Sequence, residues 1–187
     1  MSIPRVVNCC DTDDSAGSSA SKTDEATNGT DELHDTDRCS SCNGQGRPVS
    51  RKTVLLMLKP ELLEQAMHGN YSFCSERDCS IVYFEDKGGH RFTVDDLRIR
   101  VGLKVTEDPI PLCYCFGFDE KHIRDEIDRS GSTGIPGRVS RLIREGLCAC
   151  EARNPSGMCC LGVLNRTTVH FKASMKNELE TKRAQKV

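Results

Sequence analysis

Hydrophobic and polar positions divide the sequence into two polar ends and a central stretch where apolar residues cluster. Residues 1–38 contain nine acidic and three basic residues and almost no apolar ones after Val7, so this segment cannot bury enough surface to fold. After Phe171 the sequence is polar again, with strong helix formers and opposite charges four residues apart. We therefore expect a disordered acidic tail (1–38), ordered structure over 39–169, and a charged tail (170–187) that is a frayed helix or disordered.

The pattern of residues 39–108 predicts a small module with strands and a short helix. The apolar run T-V-L-L-M-L at 53–58 indicates a buried strand, and Pro60 suits the first turn of a short helix that reaches Gln65. Aromatic and β-branched residues on both sides of 74–79 predict two strands joined by a loop, and residues 91–93 predict another short strand.

The second half, 112–169, is helical in pattern. Asp119 is a good N-cap for a helix that ends at Gly131, and Pro136 suits the first turn of a second helix that ends before Gly146. The dipeptides D-P-I-P at 108–111 interrupt the chain between the two halves. The expected fold class is therefore α+β, with a small α+β module followed by a small helical module.

Charge and motifs exclude several functional classes. The net charge is −2 and no cluster of Lys and Arg is interleaved with aromatic residues, so we expect no nucleic-acid binding. The start lacks the apolar region of a signal peptide, and Val54–Leu58 is too short to span a bilayer. We expect no membrane insertion and a cytoplasmic location. Neither G-x-S-x-G, H-E-x-x-H nor a phosphate-binding glycine loop occurs, so hydrolysis or group transfer is not expected.

The twelve cysteines change this picture, because thiols gathered by short loops without a secretory signal suit metals better than disulfides. Four of them form a C-x2-C and a C-x4-C pair: Cys39 and Cys42, Cys74 and Cys79. Two such pairs predict a closed tetrahedral Zn²⁺ site of structural type, whose metal also stabilises a module with a small core. The alternatives are free core thiols, or His68 or His90 in place of one sulfur.

Six further cysteines lie in the second half: Cys113, Cys115, Cys148, Cys150, Cys159 and Cys160. Residues 154–157 form the β-turn signature N-P-S-G, which would fold the chain between the later cysteines back on itself. A [2Fe–2S] cluster takes four thiolates, and spacing alone ranks neither Cys148 against Cys150 nor Cys159 against Cys160. Zinc in this site is the alternative, and it would make the protein a structural zinc module for interaction or regulation.

Several ordered motifs resemble one protein family. The stretch C-Y-C-F-G-F-D-E-K-H-I, a two-helix spacer and C-E-A-R-N-P-S-G-M-C-C-L-G resemble the [2Fe–2S] module of CopZ-type copper chaperones, which is similar to bacterioferritin-associated ferredoxin. Upstream, N-Y-S-F-C-S-E-R-D-C-S-I-V-Y-F and P-L-C-Y-C look like the zinc domain and junction of that family. The resemblance covers about residues 39–165. It implies zinc on the first four cysteines, and these cluster ligands: Cys113, Cys115, Cys150 and Cys160. Cys148 and Cys159 would then be spare thiols.

The resemblance also implies a function. Fuller family members carry a ferredoxin-like copper-binding domain after this region, and here only a charged tail follows up to Val187, so we expect that domain to be absent. The expectation is a cytoplasmic, non-enzymatic zinc and [2Fe–2S] protein that acts as a one-electron accessory in copper or heavy-metal handling. It would reduce metal ions or pass electrons to a metal-transport or redox partner. As a further alternative, the pair Cys9 and Cys10 could carry a soft ion such as Cu(I).

Overall fold

The computed structural model describes residues 38–185, apart from the side chains of Lys87, Leu179 and Arg183. These residues belong to one compact unit, Thr36–Val187. The predicted acidic tail at 1–38 lies outside the described residues except for Arg38, and so does the pair Cys9 and Cys10. Helices and an antiparallel sheet coexist in the described chain, so the predicted α+β class is confirmed.

A four-stranded antiparallel sheet, in the order β1-β2-β3-β4, organises the first half. Its strands are β1 (Gly46–Val49), β2 (Tyr71–Cys74), β3 (Ile81–Glu85) and β4 (Arg91–Thr93). The aromatic and β-branched residues of β2 and β3 favour a pleated, buried surface, and all of β2 is buried. The strands predicted on both sides of 74–79 and at 91–93 are confirmed.

The predicted strand at 53–58 is wrong, because this segment forms helix α1 (Arg51–Met57). Ser50 is the N-cap, and its Oγ accepts a hydrogen bond of 3.1 Å from the backbone N–H of Thr53. A short apolar run fits a buried strand or a buried helix equally well, and the capping serine favours the helix. The short helix predicted after Pro60 is present as a 3₁₀ helix, Pro60–Ala66.

The second half opens with a small hairpin that the sequence pattern did not predict, formed by β5 (Pro111–Cys113) and β6 (Phe118–Asp119). Four helices follow: α2 (Glu120–Ser130), α3 (Ile135–Arg144), α4 (Cys150–Arg153) and α5 (Leu161–Ala184). As predicted, the Asp119 side chain caps α2 through a 2.9 Å hydrogen bond from the N–H of His122, and Gly131 ends the helix at φ 74°.

Helix α5 continues through residues predicted to be a charged tail and ends at Ala184. Opposite charges four residues apart, such as Lys176 and Glu180 at 3.9 Å, support its exposed end. No helix within residues 38–185 has the length and apolar composition that crossing a bilayer requires.

Each half has its own apolar core. The first core packs α1 against the sheet and contains Val54, Leu58, Val82, Tyr83 and Phe92. The second core joins α2, α3 and α5 and contains Ile123, Ile127, Ile135, Val139 and Leu164. Hydrogen bonds connect the halves: the Tyr83 hydroxyl donates to the carbonyl of Pro155 at 2.8 Å, and the Thr53 hydroxyl donates to the carbonyl of Glu151 at 2.5 Å.

Candidate metal sites

The structure brings the four cysteines predicted to bind zinc into one group, Cys39, Cys42, Cys74 and Cys79, whose Sγ atoms all lie within 4.8 Å of one another. The Sγ atoms of Cys39 and Cys79 are 3.9 Å apart, and those of Cys42 and Cys74 are 3.6 Å apart. Four thiolates placed about 2.3 Å from a tetrahedral Zn²⁺ are about 3.8 Å from one another. The observed separations therefore fit a single zinc ion. Neither His68 nor His90 is part of this group.

A tight turn presents the first pair of thiols. Asn43 has φ 57°, a left-handed conformation that asparagine tolerates better than most residues. Its N–H donates to the carbonyl of Cys39 at 2.7 Å, and the N–H of Gly44 donates to Cys42 Sγ at 3.4 Å. Backbone N–H groups that point at a sulfur stabilise its thiolate form, which is the form that binds a metal.

The second pair comes from the hairpin between β2 and β3, since β2 ends at Cys74 and Cys79 lies two residues before β3 begins. Burial raises the pKa of the Cys74 thiol to about 12, whereas Cys42 is exposed. For Cys79, burial acts in the same direction, but the N–H of Ile81 and the neighbouring thiols outweigh it and lower the pKa. Metal binding requires deprotonation of these thiols, so it is coupled to proton release.

The cysteines predicted to bind a cluster also meet in the structure. Cys113 ends β5, Cys150 begins α4 and Cys160 directly precedes α5, and all three are buried. Cys115, in the turn after β5, is half-buried, and its Sγ lies 3.7 Å from Cys150 Sγ. The thiols of Cys113 and Cys150 both act on Cys160 and raise its pKa. All four thiols are therefore near neighbours in the structure.

This second group is more extended than the first. Among residues 38–185, only the first group forms a set of three or more clustered ligand atoms that could hold a metal ion, and its atoms all lie within 4.8 Å of one another. A single tetrahedral ion needs every sulfur about 3.8 Å from the others, whereas a [2Fe–2S] cluster distributes four thiolates over two irons. The second group therefore does not match the compact set of ligands that the first group presents to a single ion.

Hydrogen bonds between the thiols distribute charge unevenly in the second group. The bond from Cys160 lowers the pKa of Cys113 to about 7 and that of Cys150 to about 6, while the same bonds raise the pKa of Cys160. Burial raises the pKa of Cys115 to about 12, although its Sγ accepts a 3.4 Å hydrogen bond from the N–H of Ala149. Cys113 and Cys150 therefore lose their protons more readily near neutral pH than an ordinary cysteine does.

Cys148 and Cys159, which the family resemblance leaves as spare thiols, are half-buried beside this group. Cys148 is a near neighbour of Cys150 and is the weakest of the causes that lower the Cys150 pKa. The turn predicted at 154–157 is present: the N–H of Gly157 donates to the carbonyl of Asn154 at 2.8 Å, and Gly157 has φ 68°.

A cleft of about 870 Å³ lies between the two thiol groups. Its walls include residues next to Cys113 and the turn at 154–156, and also the loop between Cys74 and Cys79. Three arginines line it whose side chains form no hydrogen bond or ion pair within the described chain: Arg47, Arg77 and Arg166. The cleft therefore offers positive charge between the two candidate metal sites.

Comparison with known proteins agrees with the first of these sites. The zf_CopZ family model, a zinc binding domain, matches residues 36–98, which contain the whole first thiol group. The copper chaperone CopZ of Archaeoglobus fulgidus is 33% identical over 130 residues, which cover 69% of this chain and 60% of that protein. The X-ray structure of the N-terminal domain of the same CopZ matches with a TM-score of 0.57 and 32% identity, over 69% of this chain and 95% of that chain.

The match extends beyond the zinc-binding domain, although this chain spans only about 60% of the length of the curated relative. The solved N-terminal domain is covered almost completely. Residues 36–98 thus belong to the CopZ family of zinc-binding domains, and the chain is a homologue of the N-terminal region of CopZ.

Proposed function

We propose that this protein handles copper or another heavy metal and that its two thiol groups have different tasks. Cys39, Cys42, Cys74 and Cys79 hold a structural Zn²⁺. The second group holds a [2Fe–2S] cluster that acts as a one-electron redox centre, with these ligands: Cys113, Cys115, Cys150 and Cys160. The similarity to a copper chaperone supports the metal-handling role, and the residue assignments are part of the proposal.

The observation that carries this division of tasks is the difference in spacing between the two thiol groups. The compact group fits one tetrahedral ion with all four positions filled by protein, which leaves no open position for substrate. Among the described residues, the second group does not form such a compact set, and three of its four thiols are buried. We therefore assign the redox role to the second group.

The residues around the second group would set its chemistry. A [2Fe–2S] cluster supplies one-electron transfer when bound. Burial of Cys113, Cys150 and Cys160 keeps water away from three of the sulfurs, and the N–H of Ala149 donates to the sulfur of Cys115. Such hydrogen bonds and solvent exclusion tune the reduction potential. The half-buried Cys115 marks the side from which electrons enter or leave.

The proposal includes a partner and a compartment. A heavy-metal transport protein or a redox partner would receive metal or electrons, and reduction of a metal ion at the cluster is one form of this activity. The arginines of the cleft offer complementary charge to an acidic partner surface. Many free thiols suit a reducing cytoplasm. Cys9 and Cys10, outside the described residues, would bind Cu(I) if the protein also carried the metal.

The test is anaerobic purification of the full chain, followed by metal analysis, visible absorption, and EPR after reduction with dithionite. We expect about two irons, two sulfides and one zinc per chain. Cys150→Ser and Cys160→Ser should remove the visible colour, whereas Cys148→Ser and Cys159→Ser should keep most of it. A colourless protein with two zinc ions would refute the cluster and leave a structural zinc module.

A further inference from the structure

The segment that links Cys150 to Cys160 rests on the sheet of the other half of the protein. The hydroxyl of Tyr83, in the middle of β3, donates to the carbonyl of Pro155 at 2.8 Å. Both residues are fully buried. A buried carbonyl that loses its donor keeps its desolvation penalty, so this contact fixes the segment to β3.

Helix α1 makes a second contact of the same kind. The hydroxyl of Thr53 donates at 2.5 Å to the carbonyl of Glu151, the residue that follows Cys150. Thr53 is completely buried, and its hydroxyl also lies 2.7 Å from the Ser50 hydroxyl, which fixes its orientation. Tyr83 from the sheet therefore holds the segment at Pro155, and Thr53 from α1 holds it at Glu151.

The segment has little structure that would hold its shape without these contacts. Its helix, α4, is only four residues long, far below the length at which a helix is stable alone. The remaining hydrogen bonds are local: the Asn154 side chain accepts from the N–H of Ser156 at 3.1 Å and donates to the carbonyl of Met158 at 2.6 Å. Placement of the two thiols at its ends therefore depends on the neighbouring half.

The anchoring strand begins beside the compact thiol group. Cys79 lies four residues before Tyr83, and Tyr83 pairs in register with Phe73, the neighbour of Cys74. One pair of hydrogen-bonded strands therefore connects the first thiol group to Tyr83.

We propose that Tyr83 and Thr53 are positioning residues that make the geometry of the second thiol group depend on the sheet that carries the first. The two hydroxyls hold the backbone at Glu151 and Pro155, and this brings Cys150 and Cys160 to the same site. The inference about the segment stands on the described contacts, and its consequence for a cluster rests on the proposed function.

The first experiment needs no iron. Amide hydrogen exchange is measured by mass spectrometry on the zinc-loaded, iron-free full chain as wild type, Tyr83→Phe and Tyr71→Phe. Tyr71 is a matched control, because it is also buried in the sheet but donates to Gln65, at 3.3 Å, within its own half. We expect exchange at residues 152–157 to accelerate about tenfold in Tyr83→Phe and to stay unchanged in Tyr71→Phe. Equal exchange in both variants would overturn the proposal.

Thr53 provides an independent pair of variants. Thr53→Val removes the hydroxyl that donates to Glu151 and keeps the shape of the side chain, whereas Thr53→Ser keeps the hydroxyl. We expect Thr53→Val to accelerate exchange in the segment several-fold and Thr53→Ser to restore slow exchange. If the serine and valine variants behave alike, then the methyl group matters and the hydroxyl does not, which contradicts a positioning role.

A second experiment measures the effect on the cluster. After iron reconstitution, zinc content, the loss of visible absorption under a chelator, and the midpoint potential are compared for wild type, Tyr83→Phe and Tyr71→Phe. We expect unchanged zinc, an approximately tenfold faster loss of colour and a shifted potential in Tyr83→Phe alone. A wild type that takes up no cluster would refute the proposed function, while the exchange experiment would still decide this inference. If the wild type binds a cluster and both variants behave like the wild type, the inference itself is refuted.

Discussion

Gly102 lies where the chain passes from the sheet to the helical half, and alanine at this position would collide with backbone. A Cβ on Gly102 would lie 1.8 Å from the carbonyl oxygen of Pro111, whereas real Cβ atoms essentially never approach closer than 3.0 Å. The backbone must therefore move by at least 1.2 Å, the difference between these distances. No side-chain rotation can relieve the contact, because the obstacle is a carbonyl group.

The displaced backbone belongs to β5, which begins at Pro111 and ends at Cys113. On the other side of that cysteine, the hydroxyl of Tyr114 accepts a 2.8 Å hydrogen bond from the N–H of Gly102. Overpacking typically costs about 1–3 kcal/mol, and a lost hydrogen bond adds about 1 kcal/mol. We therefore expect Gly102→Ala to lower the free energy of unfolding by about 2–4 kcal/mol and to disturb the Cys113 sulfur.

The assay is denaturant unfolding of the zinc-loaded protein, monitored by circular dichroism. Gly137→Ala is the control, since Gly137 lies inside α3 and a Cβ there meets no atom within 4 Å. Alanine is favoured over glycine in a helix by about 1 kcal/mol, so this variant should be slightly more stable than wild type. If Gly102→Ala stayed within about 0.5 kcal/mol of wild type, which is normal for harmless substitutions, the close approach of Gly102 to Pro111 would be wrong.

Three further substitutions test other contacts. The Glu126 carboxylate accepts a hydrogen bond from Arg138 at 2.5 Å, which lowers the pKa of Glu126 to about 2. The contact therefore stabilises the fold fully above the ordinary pKa of 4.5, and this stabilisation is lost as the pH falls towards 2. Glu126→Gln should thus cost about 1–2 kcal/mol at pH 7 and weaken the acid dependence of unfolding between pH 5 and 2, and an unchanged pH profile would contradict the contact. Cys42→Ser should weaken zinc binding by more than about 100-fold in a chelator competition, because even changes outside the direct ligands cost 10–100-fold; unaltered zinc affinity would remove Cys42 from the ligand set. Asn154→Ala loses its side-chain hydrogen bond to Met158 and should lower the free energy of unfolding by about 1 kcal/mol, which thermal unfolding would detect.

The first thiol group could be predicted because its signal is local. Each pair lies within six residues, C-x2-C and C-x4-C, and strongly β-forming residues flank the second pair, so the turn and the hairpin that present the sulfurs were both predictable. By contrast, α1 was missed since its apolar run has no clear period and its signal is a single capping residue, Ser50.

The elements around the second thiol group were predicted less completely, because their signals in the sequence are short or non-local. Strands of three and two residues, such as β5 and β6, carry too few positions to show alternation. Cys148 and Cys150 are two residues apart in the sequence and near neighbours in the structure, so spacing did not separate them. The contact of Tyr83 with Pro155 joins residues 72 positions apart, and from sequence Tyr83 is indistinguishable from any core aromatic residue.

Three cysteines of each thiol group are part of the apolar interior of the protein. Cys39, Cys74 and Cys79 pack with Ile81 and Phe84 in one buried cluster, and the second core likewise includes three buried cysteines. Each half is too small to bury much apolar surface by itself, and thiols take positions that larger apolar side chains would otherwise fill. Metal bound at these positions would add its binding free energy directly to folding. Removal of zinc from the first group should therefore loosen the core around Ile81 and Phe84, and the hydroxyl contacts between the halves would pass part of that change to the second group.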